Sequence, residues 1–84
     1  ITAALSSGLV GNAFSHSDVG GYTSLFGNVR TPELMLRWYE LGAFSPVMRT
    51  HEGNRPDDNL QIDSNAELID GFVRWSKVHA RLAP

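Results

Sequence analysis

"SHSDVGGYTSLFGNVRTPE", residues 15–33, leads from the end of a short apolar segment through a glycine-rich loop to a helix start. Residues 12–18 alternate weakly between small side chains (Ala13, Ser15, Ser17) and ring-bearing ones (Phe14, His16), and glycines lie on both sides of them. This pattern predicts a short buried strand. The loop that follows holds three glycines and has no helical period. Thr31 then suits an N-cap, and Pro32 suits the first helical position. The stretch therefore predicts one strand–loop–helix unit.

The sequence on either side adds further elements. Ala3–Val10 is predicted to be the tail of a helix that ends near Gly8. The predicted elements downstream are a helix over about 32–41, a strand over about 44–50 and a helix over about 65–82. In the first of these, Leu34, Trp38 and Leu41 recur at helical spacing, and the following glycine is predicted to stop the helix. "SNAE", residues 64–67, is a capping box that predicts the start of the last helix.

Strands that alternate with helices predict an α/β fold with a parallel sheet. Two parallel strands do not form a stable sheet by themselves, because both faces of such a sheet have to be covered. The strand–helix order therefore predicts two neighbouring units of a larger (β/α)8 TIM barrel. Both ends of the chain lack polar, frayed termini, which adds the expectation that residues 1–84 are a piece of a larger domain.

Composition excludes several partners. The chain has 84 residues, no cysteine, seven scattered basic residues and a formal net charge of −2. We therefore expect no nucleic-acid partner, since binding to phosphates needs clustered Lys and Arg. No apolar run reaches the roughly 18 residues of a membrane span, so no membrane partner is expected. The sequence predicts neither a metal nor a cofactor, because phosphate-loop, dinucleotide-binding, zinc-protease and serine-nucleophile motifs are all missing from it.

Functional residues of barrel enzymes lie at the carboxyl ends of strands and in the loops that follow. The first predicted strand ends at Asp18, with Tyr22 in the loop beyond it, and the second ends at Arg49 and His51. Asp18 could be a catalytic carboxylate, a ligand for sugar hydroxyls, or a structural partner of Arg49. His51 could bind ligand, move protons or be a hydrogen-bonded structural residue. Tyr22 could donate a hydrogen bond to a ligand or pack within its loop.

Other polar and aromatic residues have structural interpretations. His16 is predicted to be a buried histidine of the first strand, and His79 a satisfied histidine on the core face of the last helix. Trp38 and Trp75 are expected in the core. The solvated loop surface is predicted to include Arg55, Asp57 and Asp58. Asp18 and Glu52 could be proposed as the two carboxylates of a glycosidase, but their spacing does not single them out as a pair.

Two stretches taken together resemble a known family. "GLVGNAFSHSDVGGYT" (8–23) and "TPELMLRWYELGAFSPVMRTHEGNRP" (31–56) are similar to the second half of the catalytic barrel of glycoside hydrolase family 31. That family contains α-glucosidases, α-xylosidases and sulfoquinovosidases, and the resemblance runs from about Leu5 to Pro56. "SHSDVGGYTSLFG" and "MRTHEGNRP" are most similar to sulfoquinovosidases, which hydrolyse α-glycosides of the sulfonated sugar sulfoquinovose.

The resemblance implies roles for individual residues. Tyr22 would bind the sulfonate, His51 would bind hydroxyls of the sugar, and Asp18 would line the bottom of the pocket. Beside these roles, we expect Asp18 and Arg49 to pair between the strand ends, with Arg49 and His16 behind the residues that contact the substrate. The family's nucleophile and acid/base aspartates lie on earlier strands, so the resemblance implies no catalytic residue in this chain and no metal.

The resemblance also implies that the chain is about the last two βα units of the barrel, with the rest of the barrel as its partner. An α-glucosidase or α-xylosidase of the same family is the first alternative. The alternative of another class is a non-catalytic small α/β binding module.

Overall fold

The computed structural model describes residues 1–83, which contain three helices. They are α1 (Thr2–Leu9), α2 (Pro32–Ala43) and α3 (Ala66–Leu82). Helices α2 and α3 pack against each other, with Val19 and Met48 packed into the same core. None of the helices in the described part of the chain is long and apolar enough to cross a membrane.

The two predicted strands are not formed as strands. Among residues 1–83 there is a single parallel bridge, between Val19, directly after the predicted strand 12–18, and Thr50, at the end of the predicted strand 44–50. The Val19 N–H donates to the Arg49 carbonyl oxygen at 2.9 Å. The bridge has the parallel orientation that a βα unit produces. It does not extend into a ladder, because each segment has only the other beside it and a parallel sheet needs cover on both faces.

The buried face of α2 lies one position away from the one that the sequence suggests. Met35 and Tyr39 are completely buried, with Ala43 one turn further on, whereas Leu34 is 39% exposed. One residue is about 100° of helix rotation, so the true apolar stripe starts at position 35. Met35 and Tyr39 form the core of the chain with Val19 and, from α3, Leu68.

Gly42 was predicted to end α2, but it lies inside the helix. A Cβ atom at this position would be 3.1 Å from Val19 Cγ2 and 3.2 Å from Met48 Cγ. The helix therefore needs a small residue there so that the bridged segments can approach it closely. The helix ends one residue later, and Phe44, expected at the start of a strand, is instead its C-cap.

Helix α3 begins with a different cap from the predicted box. Asn65 is the N-cap residue, and its Oδ1 accepts from the Leu68 N–H at 2.9 Å. Ser64 instead accepts from the Gln61 N–H. Later in the helix, Nδ1 of His79 donates to the Ala43 carbonyl oxygen at 3.1 Å, which confirms its structural role.

The tryptophans and the polar loop follow the sequence interpretation. Trp38 and Trp75 are partly buried and pack against the core. Arg55 pairs with Asp58 at 3.2 Å on the loop surface, and Asp57 beside them is also exposed.

Candidate functional site

The parallel bridge brings the two predicted polar clusters together. Tyr22 and His51, which follow the two bridged positions, have ring centroids 4.8 Å apart and meet edge to face at 69°. The Gly53 N–H donates to the Tyr22 carbonyl oxygen at 2.9 Å, so the backbones of the two loops are also joined. Tyr22 is 48% exposed, and an aromatic hydroxyl beside an imidazole is a suitable pair of polar groups for a ligand.

A chain of polar contacts connects Asp18 to His51. Arg49 Nε lies 3.5 Å from Asp18 Oδ1, which confirms the expected pairing of these residues. Arg49 Nη2 lies 2.7 Å from His51 Nδ1. A guanidinium has only donors, so Nδ1 of His51 must be the acceptor. In neutral His51 the proton is therefore on Nε2, and this nitrogen can donate to a ligand.

Asp18 keeps an unused acceptor. Its side chain is 16% exposed, and its Oδ1 is buried with no hydrogen bond from any residue in the range 1–83. His16 Nδ1 lies 3.9 Å from this oxygen, too far for a hydrogen bond. The prediction that His16 is a buried strand residue is wrong, because it is exposed and its segment forms no strand. The Asp18 carboxylate can accept a hydrogen bond from a further group.

Sequence reasoning missed a buried cation behind the site. Arg30 is only 3% exposed, and Nη2 donates to the carbonyl oxygens of Gly21 and His51. Its Nη1 donates to the Leu60 carbonyl oxygen at 3.3 Å, and its Nη2 lies 3.3 Å from Glu52 Oε2. One guanidinium therefore binds the backbone of both loops, the one that carries Tyr22 and the one that carries His51.

The Glu52 carboxylate is fully occupied. Oε1 accepts from the N–H groups of Asn54 (3.0 Å) and Arg55 (2.7 Å), and Oε2 accepts from Asn59 Nδ2 at 2.9 Å. Burial favours the neutral acid, but these hydrogen bonds and the Arg30 charge outweigh it and hold the pKa of Glu52 below its ordinary value. Glu52 therefore remains an ionised acceptor.

This arrangement argues against Asp18 and Glu52 as a catalytic pair. A general acid needs a raised pKa and access to the leaving group. Glu52 has a lowered pKa, and its side chain is only 7% exposed behind its donors. Across residues 1–83, no group of three or more His, Asp or Glu side chains could hold a metal ion.

The other missed residue is Asn59, which is 5% exposed within the loop predicted to be solvated. Its Oδ1 accepts from the Arg30 N–H at 2.8 Å, and its Nδ2 contacts Ser24 Oγ at 2.8 Å. Asn54 adds two hydrogen bonds to the Ser24 backbone. The one available signal in the sequence was loop length, because a loop of fifteen residues without regular structure is usually either functional or disordered.

The apolar grooves of the described chain lie elsewhere. An apolar groove of about 370 Å³ is lined by residues that include Phe14, Phe44, Pro46 and His79, and by none of the residues Asp18, Tyr22 and His51. Ligand sites combine apolar walls with converging polar groups. We therefore place the candidate site at the polar cluster and not at this groove.

Known proteins resemble the chain over its whole length. The model of the glycosyl hydrolases family 31 TIM-barrel domain matches residues 1–84. A sulfoquinovosidase from Agrobacterium fabrum is 64% identical over 84 residues, and one from Escherichia coli K12 is 52% identical over the same length. These matches cover 100% of this chain and 13% and 12% of the two relatives.

A solved structure gives the same result. The family 31 sulfoquinovosidase from E. rectale, in complex with an aza-sugar inhibitor, superimposes with a TM-score of 0.87 at 53% identity. The superposition covers 96% of this chain and 12% of that enzyme. With the family model matching every residue, the chain belongs to the TIM-barrel domain of glycosyl hydrolase family 31.

Proposed function

We propose that the chain is about the last two βα units of the (β/α)8 barrel of a retaining α-glycosidase, a sulfoquinovosidase that hydrolyses α-sulfoquinovosides. The relatives that match all 84 residues carry that name. The observation that carries the proposal is the Tyr22–His51 pair, which offers a phenol and an imidazole donor side by side at the end of the bridge.

The partner of this chain is the rest of the barrel. The large apolar side chains Leu9, Val10, Phe14 and Phe26 are between 81% and 97% exposed. Apolar surface of this extent usually marks an interface. Further strands and helices of the barrel would cover it, and would turn the single Val19–Thr50 bridge into a sheet. A free-standing binding module is less favourable, since it would leave these side chains in water.

Tyr22 is the proposed contact to the sulfonate. Its side chain is half-exposed and so accessible to a ligand. A phenol hydroxyl can donate to a sulfonate oxygen, and such a hydrogen bond to an anion is charge-assisted. A plain glucoside offers no anion at this position. This difference separates a sulfoquinovosidase from the α-glucosidase and α-xylosidase alternatives.

His51 and Asp18 are the proposed contacts to sugar hydroxyls. His51 can donate from Nε2 because Arg49 occupies its Nδ1. The Asp18 side chain is partly exposed, so its carboxylate can accept a hydrogen bond from a sugar hydroxyl. His51 thus offers a donor and Asp18 an acceptor. This combination suits sugar hydroxyls, which both donate and accept hydrogen bonds.

The chain itself supplies binding and orientation, and we expect it to be inactive alone. In the proposed parent enzyme, one carboxylate from an earlier strand attacks the anomeric carbon. A second one protonates the leaving oxygen and then activates water. The contacts from Tyr22, His51 and Asp18 would hold the sugar so that the anomeric carbon meets these groups.

The test is Tyr22→Phe in the parent enzyme. The ratio of kcat/KM for an aryl α-sulfoquinovoside to that for an aryl α-glucoside is the measurement. A hydrogen bond to a charged group contributes about 1.5–3 kcal/mol, so we expect the ratio to fall roughly 10- to 100-fold.

The matched control is Tyr39→Phe. It removes the same hydroxyl from the only other tyrosine, which is buried and has no hydrogen-bond partner in the described residues. A ratio that Tyr22→Phe leaves unchanged, or that both variants lower equally, would refute the sulfonate role.

A further inference from the structure

We infer that Gly53 is a positioning residue that holds the Tyr22 ring in place, and thereby a determinant of substrate selectivity. A Cβ atom on Gly53 would lie 2.5 Å from both Cε atoms of Tyr22 and closer still to Cζ. The ring therefore rests on the bare backbone of Gly53, with no space for any side chain between them. The selectivity part of the inference rests on the proposed sulfonate role of Tyr22.

The contact involves the end of the ring that carries the hydroxyl. Cζ bears the phenol oxygen, so a group that displaces Cζ also displaces the proposed sulfonate donor. The ring also meets His51 edge to face, with 4.8 Å between centroids. The Tyr22 ring thus has two close neighbours, Gly53 and His51.

The Gly53 backbone is not free to move aside. Its N–H donates to the Tyr22 carbonyl oxygen. Glu52, one residue before it, is held by the buried Arg30. Asn54, one residue after it, is hydrogen-bonded to the Ser24 backbone through both ends of its amide. A side chain at position 53 would therefore move the Tyr22 ring and not the loop.

Backbone conformation does not explain this glycine. Gly11, Gly20, Gly21 and Gly27 have positive φ values, whereas the φ of Gly53 lies outside the left-handed region. The left-handed strain that disfavours alanine at those four glycines therefore does not apply at position 53. The requirement for glycine at position 53 is therefore the contact with Tyr22.

The experiment is a double-mutant cycle in the parent enzyme with Gly53→Ala, Tyr22→Ala and the double variant. Gly53→Ala is expected to lower the sulfoquinovoside-to-glucoside ratio of kcat/KM by tenfold or more. In the Tyr22→Ala background there is no ring to displace, so the same change is expected to leave the ratio within about twofold. Gly8→Ala is the control, since a Cβ there meets nothing within 4 Å.

A crystal structure of the Gly53→Ala variant separates this inference from the proposed function. A displaced Tyr22 ring supports the positioning role of Gly53, and the substrate ratio then tests the selectivity role. If the ring is displaced but the ratio is unchanged, the sulfonate role fails and the positioning role of Gly53 stands. A ring that stays in place, or a loss of selectivity that is equal in both backgrounds, overturns the inference.

Protein yield gives a second readout. If Gly53→Ala prevents folding and Tyr22→Ala restores it, the clash is the cause, which supports the inference. If the double variant also fails to fold, position 53 has another requirement and the inference is overturned.

Discussion

Glu52→Gln tests whether the buried ion pair behind the site holds the two loops together. Glutamine keeps the shape of glutamate, and its oxygen can still accept the two backbone N–H bonds of Asn54 and Arg55. Its amide nitrogen would then face Asn59 Nδ2 and Arg30 Nη2, which are both donors. The substitution therefore replaces one hydrogen bond and one ion pair with donor–donor contacts.

The size of the effect follows from burial. Breaking a buried ion pair by removing one partner costs about 3–5 kcal/mol. Arg30 would keep its carbonyl partners, so we expect the lower end of that range, about 3 kcal/mol. Glu33→Gln is the matched control, because the Glu33–Arg37 pair at 2.8 Å has both side chains 75% exposed. Such surface pairs contribute only about 0–1 kcal/mol.

Native-state hydrogen exchange of the Asn54 and Arg55 amides in the parent enzyme measures this local stability. At neutral pH, about 3 kcal/mol corresponds to a roughly 100-fold loss of protection in Glu52→Gln, since each 1.4 kcal/mol is tenfold. Glu33→Gln should change protection by about fivefold at most. Equal losses in the two variants would refute the reasoning.

The same comparison has a defined pH dependence. The folded state lowers the pKa of Glu52, so its stabilisation is present above the ordinary glutamate value of about 4.3. It is lost as the pH falls through the lower folded-state pKa. The difference between wild type and Glu52→Gln should therefore disappear in acid. A difference that persisted well below the folded-state pKa would contradict the role of the charge.

Two further predictions concern the core and the imidazole. Gly42→Ala should lower the free energy of unfolding by about 1–3 kcal/mol, because the alanine Cβ would lie 3.1 Å from Val19 Cγ2. Thermal unfolding measures this change. Gly8→Ala should instead raise the free energy of unfolding by about 0.5–1 kcal/mol, because Gly8 is a helical position where a Cβ meets nothing. Equal effects of the two substitutions would contradict the packing argument. His51→Gln should retain more kcat/KM on the sulfoquinovoside than His51→Asn, since only glutamine can place a donor near Nε2. Equal losses would contradict the tautomer that Arg49 imposes.

Local signals in the sequence predicted local structure well. Thr31 Oγ1 accepts from the Leu34 N–H at 3.2 Å, and Pro32 is the first residue of α2, as a cap and an N1 proline require. These interactions span three or four residues, so they can be read without the fold. The strands could not be predicted in the same way, because a strand exists only through its neighbours.

The residues of the candidate site also differ in how far the sequence alone could predict their contacts. Asp18 and Arg49 end adjacent segments, and the barrel rule alone brings them together, which made their pairing predictable. Arg30 and Glu52 lie in loops with no periodicity, where charged residues are ordinarily solvated. Only the path of the chain reveals that they are buried.

Arg30 connects this hidden pair to the proposed function. Its guanidinium binds the carbonyl oxygen of Gly21, directly before Tyr22, and that of His51 itself. One buried cation therefore fixes the backbone from which both proposed sugar ligands project. Because Arg30 presents several donors in a rigid plane, it can bind both carbonyls and Glu52 together, which a flexible lysine cannot reproduce. The distance between Tyr22 and His51 is thus set by a residue that need not touch the substrate.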